Sequence, residues 1–209
     1  MVDIVTLIVT NYTEYFDRCI KSAVRPYVVF DGVEPVNGDY HFLTCNTNRP
    51  SVARNLFLQE ITSDFVQLLD SDDFLIDGYY DQIQQVISQN NDYDLFYSDY
   101  TILNEDFKFK NREYLKSPSN STVKETAPKI KNPIVRTSIL KKIKFDESLA
   151  CFELVDLIYK IGPSRLYHHP YDMQSVRIHP KCFARTASKA QRDESMNIIS
   201  GRINGKVWI

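Results

Sequence analysis

Three short apolar, β-branched runs in the first seventy residues each stop at a side chain bearing a hard oxygen. Asp3–Thr10 runs into Asn11, Tyr27–Phe30 into Asp31, and Asp64–Leu69 into Asp70. Runs this short, closed by turn-forming residues, predict buried strands. Between them the apolar period changes. Tyr15, Phe16, Cys19, Ile20 and Ala23 recur at helical spacing behind Thr13, a cap residue, and the helix ends near Arg25-Pro26. Pro50 opens a second helix through Ile61, because proline is tolerated in a first turn. Tyr40–Thr44 adds a strand, Asp77 caps a helix to about Ser88, and Asp94–Tyr97 is a further strand before a hairpin at Asn104-Glu105. Strands alternating with helices predict an α/β domain around a largely parallel sheet. Ligands in such sheets bind beyond the carboxyl ends of the strands, so Asn11, Asp31 and Asp70 are expected along one rim.

The second half is less regular. Residues 111–132 are polar and include Ser117, Pro118, Ser119, Asn120 and Ser121, which predicts a loop long enough to be a mobile substrate flap. Helices are expected near Thr137–Ile143 and Glu153–Ile161, and strands near Arg165–His168 and Met173–Ile178. His168 and His169, just before Pro170, read as surface or strand-end residues, and a helical tail begins at Ser188 and leads to Val207-Trp208-Ile209. A chain of 209 residues suits one domain with a sizeable core.

No apolar run approaches the ~18 residues of a membrane span. The opening MVDIVTLIVT carries Asp3 and no basic segment, so it reads as a strand and not a signal peptide. Cys19, Cys45, Cys151 and Cys182 form no CxxC pair, which suits reduced thiols in a cytoplasmic protein, bacterial or, if viral, in the host. The net charge of −2 hides an asymmetry. Residues 1–105 hold 5 basic and 17 acidic side chains, residues 106–144 hold 11 and 3, and residues 145–209 hold 9 and 7. That division suits a metal-nucleotide end and an anion-facing end; solvated lysines on an exposed hairpin and loop account for it equally well.

Asp70, Asp72 and Asp73 crowd into the stretch QLLDSDDFL. Carboxylates this close raise one another's pKa unless a cation or donors sit among them. In an extended segment Asp70 and Asp72 face the same way, and hard oxygen donors suit Mg²⁺ or Mn²⁺ completed by waters and substrate phosphates. An Asp-rich turn capping the next helix is the structural alternative. An EF-hand would need Gly at its sixth position and Glu at its twelfth, where this chain has Leu75 and Asp81. A phosphatase-type nucleophile would follow the first strand, and no Walker or GxGxxG loop is present.

The order IVTNYTEYFDRCIKSA, VVFDG, SVARN, LLDSDDFL and FDESLACFELVDLIYKIG resembles the family 2 glycosyltransferases, from Ile4 to about His179. The resemblance implies a GT-A, Rossmann-like single domain of mixed, mostly parallel sheet flanked by helices. Residues 1–105 would form its nucleotide-sugar half and residues 106–209 its acceptor half and C-terminal segment. It implies a sugar nucleotide donor, UDP-linked, with Mn²⁺ or Mg²⁺. Thr10, Asn11 and Tyr12 would line the nucleotide pocket, Asp31 would hydrogen-bond the base, and Arg54 would support the nucleotide and the acidic cluster. Asp70 would approach ribose or a metal-bound water, Asp72 would bind the metal, Asp73 would position the loop or the sugar, and Ser71 would join them in binding the donor. The segment SVRIHPKCFAR resembles the family's Arg-x-His element, making His179 a metal or phosphate ligand and placing Arg177, Lys181 and Arg185 at the diphosphate.

One departure concerns the base that would take the acceptor's proton in an inverting transfer. The family carries Glu-Asp at the start of its later helix, whereas this chain reads Glu153-Leu154. Glu153 and Asp156, three apart on one helix face, are the remaining candidates. Two acceptors remain open, a glycan or polysaccharide and, given the basic stretch from Asp106 to Lys144, a hydroxymethylated pyrimidine in viral DNA, as in phage enzymes that glycosylate DNA. A non-catalytic nucleotide-sugar or nucleic-acid binding protein is the alternative that Leu154 raises.

Overall fold

The first strand of the computed structural model, β1 (Ile4–Thr10), sends alternate side chains to opposite faces of a sheet. Val5 and Leu7 enter one apolar cluster, while Ile4 and Ile8 enter the other. Both faces of β1 are therefore covered, which is why its sequence is apolar almost throughout. The structure describes the backbone of residues 1–12, 14–180 and 187–204. The expected cap Thr13, the candidates Lys181 and Arg185, Cys182, and the terminal Val207-Trp208-Ile209 lie outside these described residues.

β2 (Pro26–Asp31), β3 (His41–Cys45) and β4 (Phe65–Asp70) complete a parallel block in the order β3-β2-β1-β4. The next strands are β5 (Phe74–Leu75), β6 (Leu95–Leu103), β7 (Phe109–Glu113), β8 (Ile134–Arg136) and β9 (Leu166–Arg177). β8 runs antiparallel to both β4 and β6, β9 lies parallel to β6, and β7 pairs with β6 as the expected hairpin. The sheet is thus mixed, with most of its paired residues in parallel ladders.

One face carries α2 (Pro50–Leu58), α5 (Thr137–Ile143) and α6 (Glu153–Ile161), which contribute Ala53, Phe57, Leu140, Leu157 and Ile158. The other carries α1 (Phe16–Ser22) and α3 (Tyr79–Gln89), through Phe16, Cys19, Ile83 and Ile87. A one-turn α4 (Val123–Thr126) and α7 (Lys189–Asn204) complete the α-helices among the described residues. No helix among the described residues is long and apolar enough to cross a membrane.

Several sequence expectations need correction. The α3 N-terminus is not capped by Asp77; Gly78, with φ of 76°, stands at the cap position and no side-chain cap bond forms. Residues 111–132 are not a flap. They hold the end of β7, α4 and a 3₁₀ turn at Ala127–Lys129, and they bury Leu115, Val123, Ala127 and Ile130. Tyr97 and Tyr100 donate hydroxyl hydrogen bonds to the carbonyls of Lys116 (2.7 Å) and Lys129 (3.0 Å), tying this belt down. The apolar anchors are too widely spaced to give a periodic signal among the polar residues between them.

The two strands expected around Pro170 are one strand, β9. Its register against β6 passes from Ser98–His169 to Asp99–Asp172, so Pro170 and Tyr171 sit in a bulge where no ladder N–H is needed. His168 and His169 are therefore not surface residues. The His168 ring stacks on Tyr97 at 5.1 Å, its Nε2 lies 2.8 Å from an Asp99 oxygen, and His169 is buried.

Candidate active site

Register places the candidates on one rim. Val9 pairs with Asp70 and Thr10 with Phe30, so β2 and β4 deliver Asp31 and Asp70 on either side of the β1 carboxyl end. β9 arrives at the same place from the other half of the chain. β5 pairs with it at Phe74–Ser175, and the Arg177 amide donates to Asp73 at 2.9 Å.

The acidic trio is held from several sides. Each of Asp70, Asp72 and Asp73 offers a carboxylate oxygen, and the three oxygens lie within 4.8 Å of one another. Asp70 is half exposed and accepts a hydrogen bond from Arg54 at 2.9 Å. The Asp72 carboxylate lies 2.9 Å from Nε2 of buried His179, and its carbonyl accepts two bonds from the Arg177 guanidinium, at 2.9 and 3.1 Å. Asp73, 2% exposed, accepts from the Arg177 amide and from Asn132 at 2.8 Å. Burial, followed by the charges of Asp72 and Asp70, still pushes the Asp73 carboxyl well above the usual carboxylate range. Ser71 is buried in the same turn, which closes through the Asp73 amide on the Asp70 carbonyl at 3.0 Å.

Beneath the turn, the Cys19 thiol donates to the Asp70 carbonyl at 3.5 Å. Burial and then the three carboxylates drive this thiol's pKa up. A donor set of carboxylates with an open, half-exposed member at Asp70 fits Mg²⁺ or Mn²⁺.

Arg177 lies between two aromatic faces, with its guanidinium carbon 3.7 Å from the Tyr15 ring centre and 4.2 Å from that of Phe107 at the β6–β7 hairpin tip. Cation–π contacts of this kind hold the cation in place while its N–H groups donate elsewhere. His179 packs on Tyr15 and Tyr12, and the Tyr12 hydroxyl lies 3.3 Å from its Nε2. A cleft of about 320 Å³ opens beside His179, walled by Asn104, Glu105, Asp106 and Lys110 of the hairpin and by Ile178 and Pro180.

Asp31 is occupied by the turn that precedes α2. Its oxygens accept from the Thr47, Asn48 and Arg49 amides at 2.6, 3.1 and 3.2 Å and from the Thr47 hydroxyl at 2.9 Å. Burial pushes its carboxyl up, but these hydrogen bonds outweigh burial and hold it below its ordinary value. Thr10 is buried and its hydroxyl donates to the Tyr12 carbonyl, while Asn11 is exposed on the same rim.

The two candidate bases part company. Arg54, buried on α2, bridges Asp70 and Glu153, and so joins the start of α6 to the acidic cluster. Phe152 precedes Glu153 with φ of 62°, and both Phe152 and Leu154 pack against the larger apolar cluster. The position after Glu153 is therefore a core contact. Asp156 is 1% exposed and pairs instead with Lys160 at 2.8 Å and with Arg202 of α7. It lies in a structural ion-pair group apart from Arg54 and Asp70.

Three further residues join the site: Asn132, Phe107, and Tyr15, which the helical spacing marks only as an apolar position. Asn132 carried a signal as an Asn-Pro turn dipeptide. Cys19, Cys45 and Cys151 are free thiols.

No protein-family model matches the sequence, and no curated protein is similar to it in sequence. Solved structures are similar in fold. The S. aureus TarS structure is 18% identical with a TM-score of 0.70, covering 96% of this chain and 39% of that one. Its 1–349 fragment in complex with UDP-GlcNAc is 17% identical with a TM-score of 0.73, covering 96% of this chain and 66% of the fragment. The same fragment with UDP gives 18% and 0.66. This chain thus spans about two fifths of that TarS chain. The likeness establishes the expected GT-A fold with its mixed, mostly parallel sheet.

Proposed function

We propose, from the GT-A fold this chain shares with a protein solved in complex with UDP-GlcNAc and UDP, that it is a metal-dependent glycosyltransferase using a UDP-linked sugar. The observation that carries the reading is the convergence of β4 and β9, which sets Asp70, Asp72 and Asp73 against Arg177 and His179 on the rim beside Asp31.

Asp70 and Asp72 would hold Mn²⁺ or Mg²⁺, with Asp73 fixing the turn between β4 and β5. When bound, such an ion neutralises the diphosphate and stabilises the charge that grows on it as the sugar–phosphate bond breaks. The chain's own residues do the rest. His179 and the Arg177 guanidinium hold Asp72 from its carboxylate and its carbonyl. Thr10, Asn11 and Tyr12 would line the nucleotide pocket, and Asp31, which orders the 47–49 turn, would hydrogen-bond the base. Arg185 would add a cation to the diphosphate. Glu153, tethered through Arg54 to Asp70, takes the proton from the acceptor hydroxyl as that oxygen attacks the sugar from the face opposite the diphosphate, which inverts the anomeric centre. Asp156 stabilises α7 and takes no part in proton transfer.

The acceptor is a glycan or polysaccharide hydroxyl. The basic 106–144 stretch supplies weaker support for DNA, since Arg112, Lys116, Lys129 and Arg136 are already paired with Asp172, Glu125, Glu113 and Asp94.

Calorimetry with UDP should show binding that requires Mn²⁺ and is lost in Asp72→Ala; UDP binding indifferent to both would overturn the metal-dependent donor site. Glu153→Gln should keep donor binding and lose transfer. Unchanged behaviour of Glu153→Gln beside a wild type that turns over no acceptor would instead favour the binding-protein reading that apolar Leu154 motivates. A screen of oligosaccharide, lipid-linked and hydroxymethylated-DNA acceptors separates the acceptor classes.

A further inference from the structure

Asn132 belongs to none of the sequence motifs, yet more of the acidic turn depends on it than on any other uncharged side chain described above. Its Oδ1 accepts from the Asp70 amide at 2.9 Å. Its Nδ2 donates to the Asp73 carboxylate and to Gln174 Oε1, both at 2.8 Å. The first contact holds the backbone at the start of the turn, and the second holds a carboxylate at its end. Asn132 is 5% exposed, and it is itself held on every side. The buried Gln67 side-chain amide donates to its carbonyl, and Gln67 Oε1 accepts from the Tyr79 hydroxyl. Gln174, 2% exposed on β9, donates to the Lys131 carbonyl at 3.0 Å.

The backbone confirms that this placement is imposed. Asn132 has φ of 43°, in the left-handed region, although a proline follows it. Residues before proline disfavour helical conformations, and a non-glycine residue at positive φ persists only where its surroundings over-determine it. A side chain satisfying three partners at once supplies that determination.

We infer that Asn132 is the positioning residue of the cation site: it locks Asp73 and the Asp70 backbone so that the carboxylates of Asp70 and Asp72 stand at a fixed separation for a divalent ion. This deepens the metal-dependent reading of the site and rests on it. The amide is the chemistry required, because one end must accept from an N–H while the other donates to a carboxylate. Aspartate keeps the acceptor and loses both donors. Glycine keeps the backbone conformation without strain and loses all three contacts.

The test is Mn²⁺ binding to the full chain, read from the free-ion signal in electron paramagnetic resonance with UDP present, alongside thermal melting. Asn132→Gly and Asn132→Asp should melt cooperatively and bind Mn²⁺ about ten- to a hundred-fold more weakly, the loss usual when a group supporting metal ligands is removed. The spectrum of the bound ion should also change shape, which a loss of stability elsewhere would not cause. If Asn132→Asp does not fold, Asn132→Gly decides alone. Gln174→Leu, which removes a partner of Asn132 without touching Asp73, should weaken Mn²⁺ by less. Wild-type affinity and line shape in a folded Asn132→Gly would overturn the positioning role and leave the metal site standing. A wild type that takes up no Mn²⁺ would overturn both.

Discussion

Arg54 shows how much a single side chain on the rim carries. It is 7% exposed and joins a half-exposed Asp70 to a nearly buried Glu153. Burial disfavours its charge, but Glu153 and Asp70 outweigh that and raise its pKa, so it is cationic throughout the working range. Removing one partner of a buried pair leaves the other uncompensated. Arg54→Ala should therefore lower the unfolding free energy by about 2–4 kcal/mol, with Asp70's exposure keeping the loss below the full buried-pair figure; urea denaturation measures it. The acidic trio was legible as residues, because spacing alone puts Asp70 and Asp72 at a strand end. The separation of Glu153 from Asp156 was not. Three residues along a helix share a face only broadly, and the choice between them came from what packs against α6: Arg54 at its first turn, Arg202 of α7 further on.

Among the elements, α7 has no clear apolar stripe and is held by specific contacts. Ser188 and Gln191 form a reciprocal capping box, with amide-to-side-chain bonds of 3.2 and 2.9 Å. Ile199 is fully buried, and Ser195 is buried beside the Cys151 amide. Arg202 clasps both Asp146 and Asp156. Ser188→Ala should cost about 1 kcal/mol of stability, the usual value of such a cap.

The clasp also predicts a pH dependence. Burial pushes the Asp146 carboxyl up, but hydrogen bonds from Ser148 and Arg202 and the Arg202 charge outweigh it and hold it at about 2. A folded value below the unfolded one, near 4, gives stability that is present above about pH 4 and lost as pH falls toward 2. Asp146→Asn should start less stable and lose less melting temperature than wild type between pH 4 and pH 2; parallel curves for the two would refute the assignment. The helix beginning at Ser188 was legible in the sequence, though not its capping box, and the belt at 111–132 was not, because tyrosine hydroxyls from β6 decide where that polar segment lies.

For the whole molecule, the site is divided between the two halves of the chain. The acidic turn comes from the first half of the chain, and the cation and imidazole that hold it, Arg177 and His179, come from the second. The site exists only when the two halves are folded together. A ligand that bridges them should stabilise the entire fold. UDP with Mn²⁺ at about a hundred times its dissociation constant adds about 2.7 kcal/mol. In a chain of this size that raises the melting temperature by about 5–10 °C, and Asp72→Ala should abolish the rise.

By itself the sequence determined the alternation of strands and helices, the rim on which Asn11, Asp31 and Asp70 fall, and the clustering of carboxylates after β4, because these depend on local period and on residues adjacent in the chain. Only the tertiary structure decided what those carboxylates face. The contacts of Asn132 with Asp70, Asp73 and Gln174, of His179 with Asp72, and of Arg54 with Glu153 each join residues more than forty positions apart. No local pattern encodes such pairings, which arise when β8 and β9 close the sheet against β4 and β5.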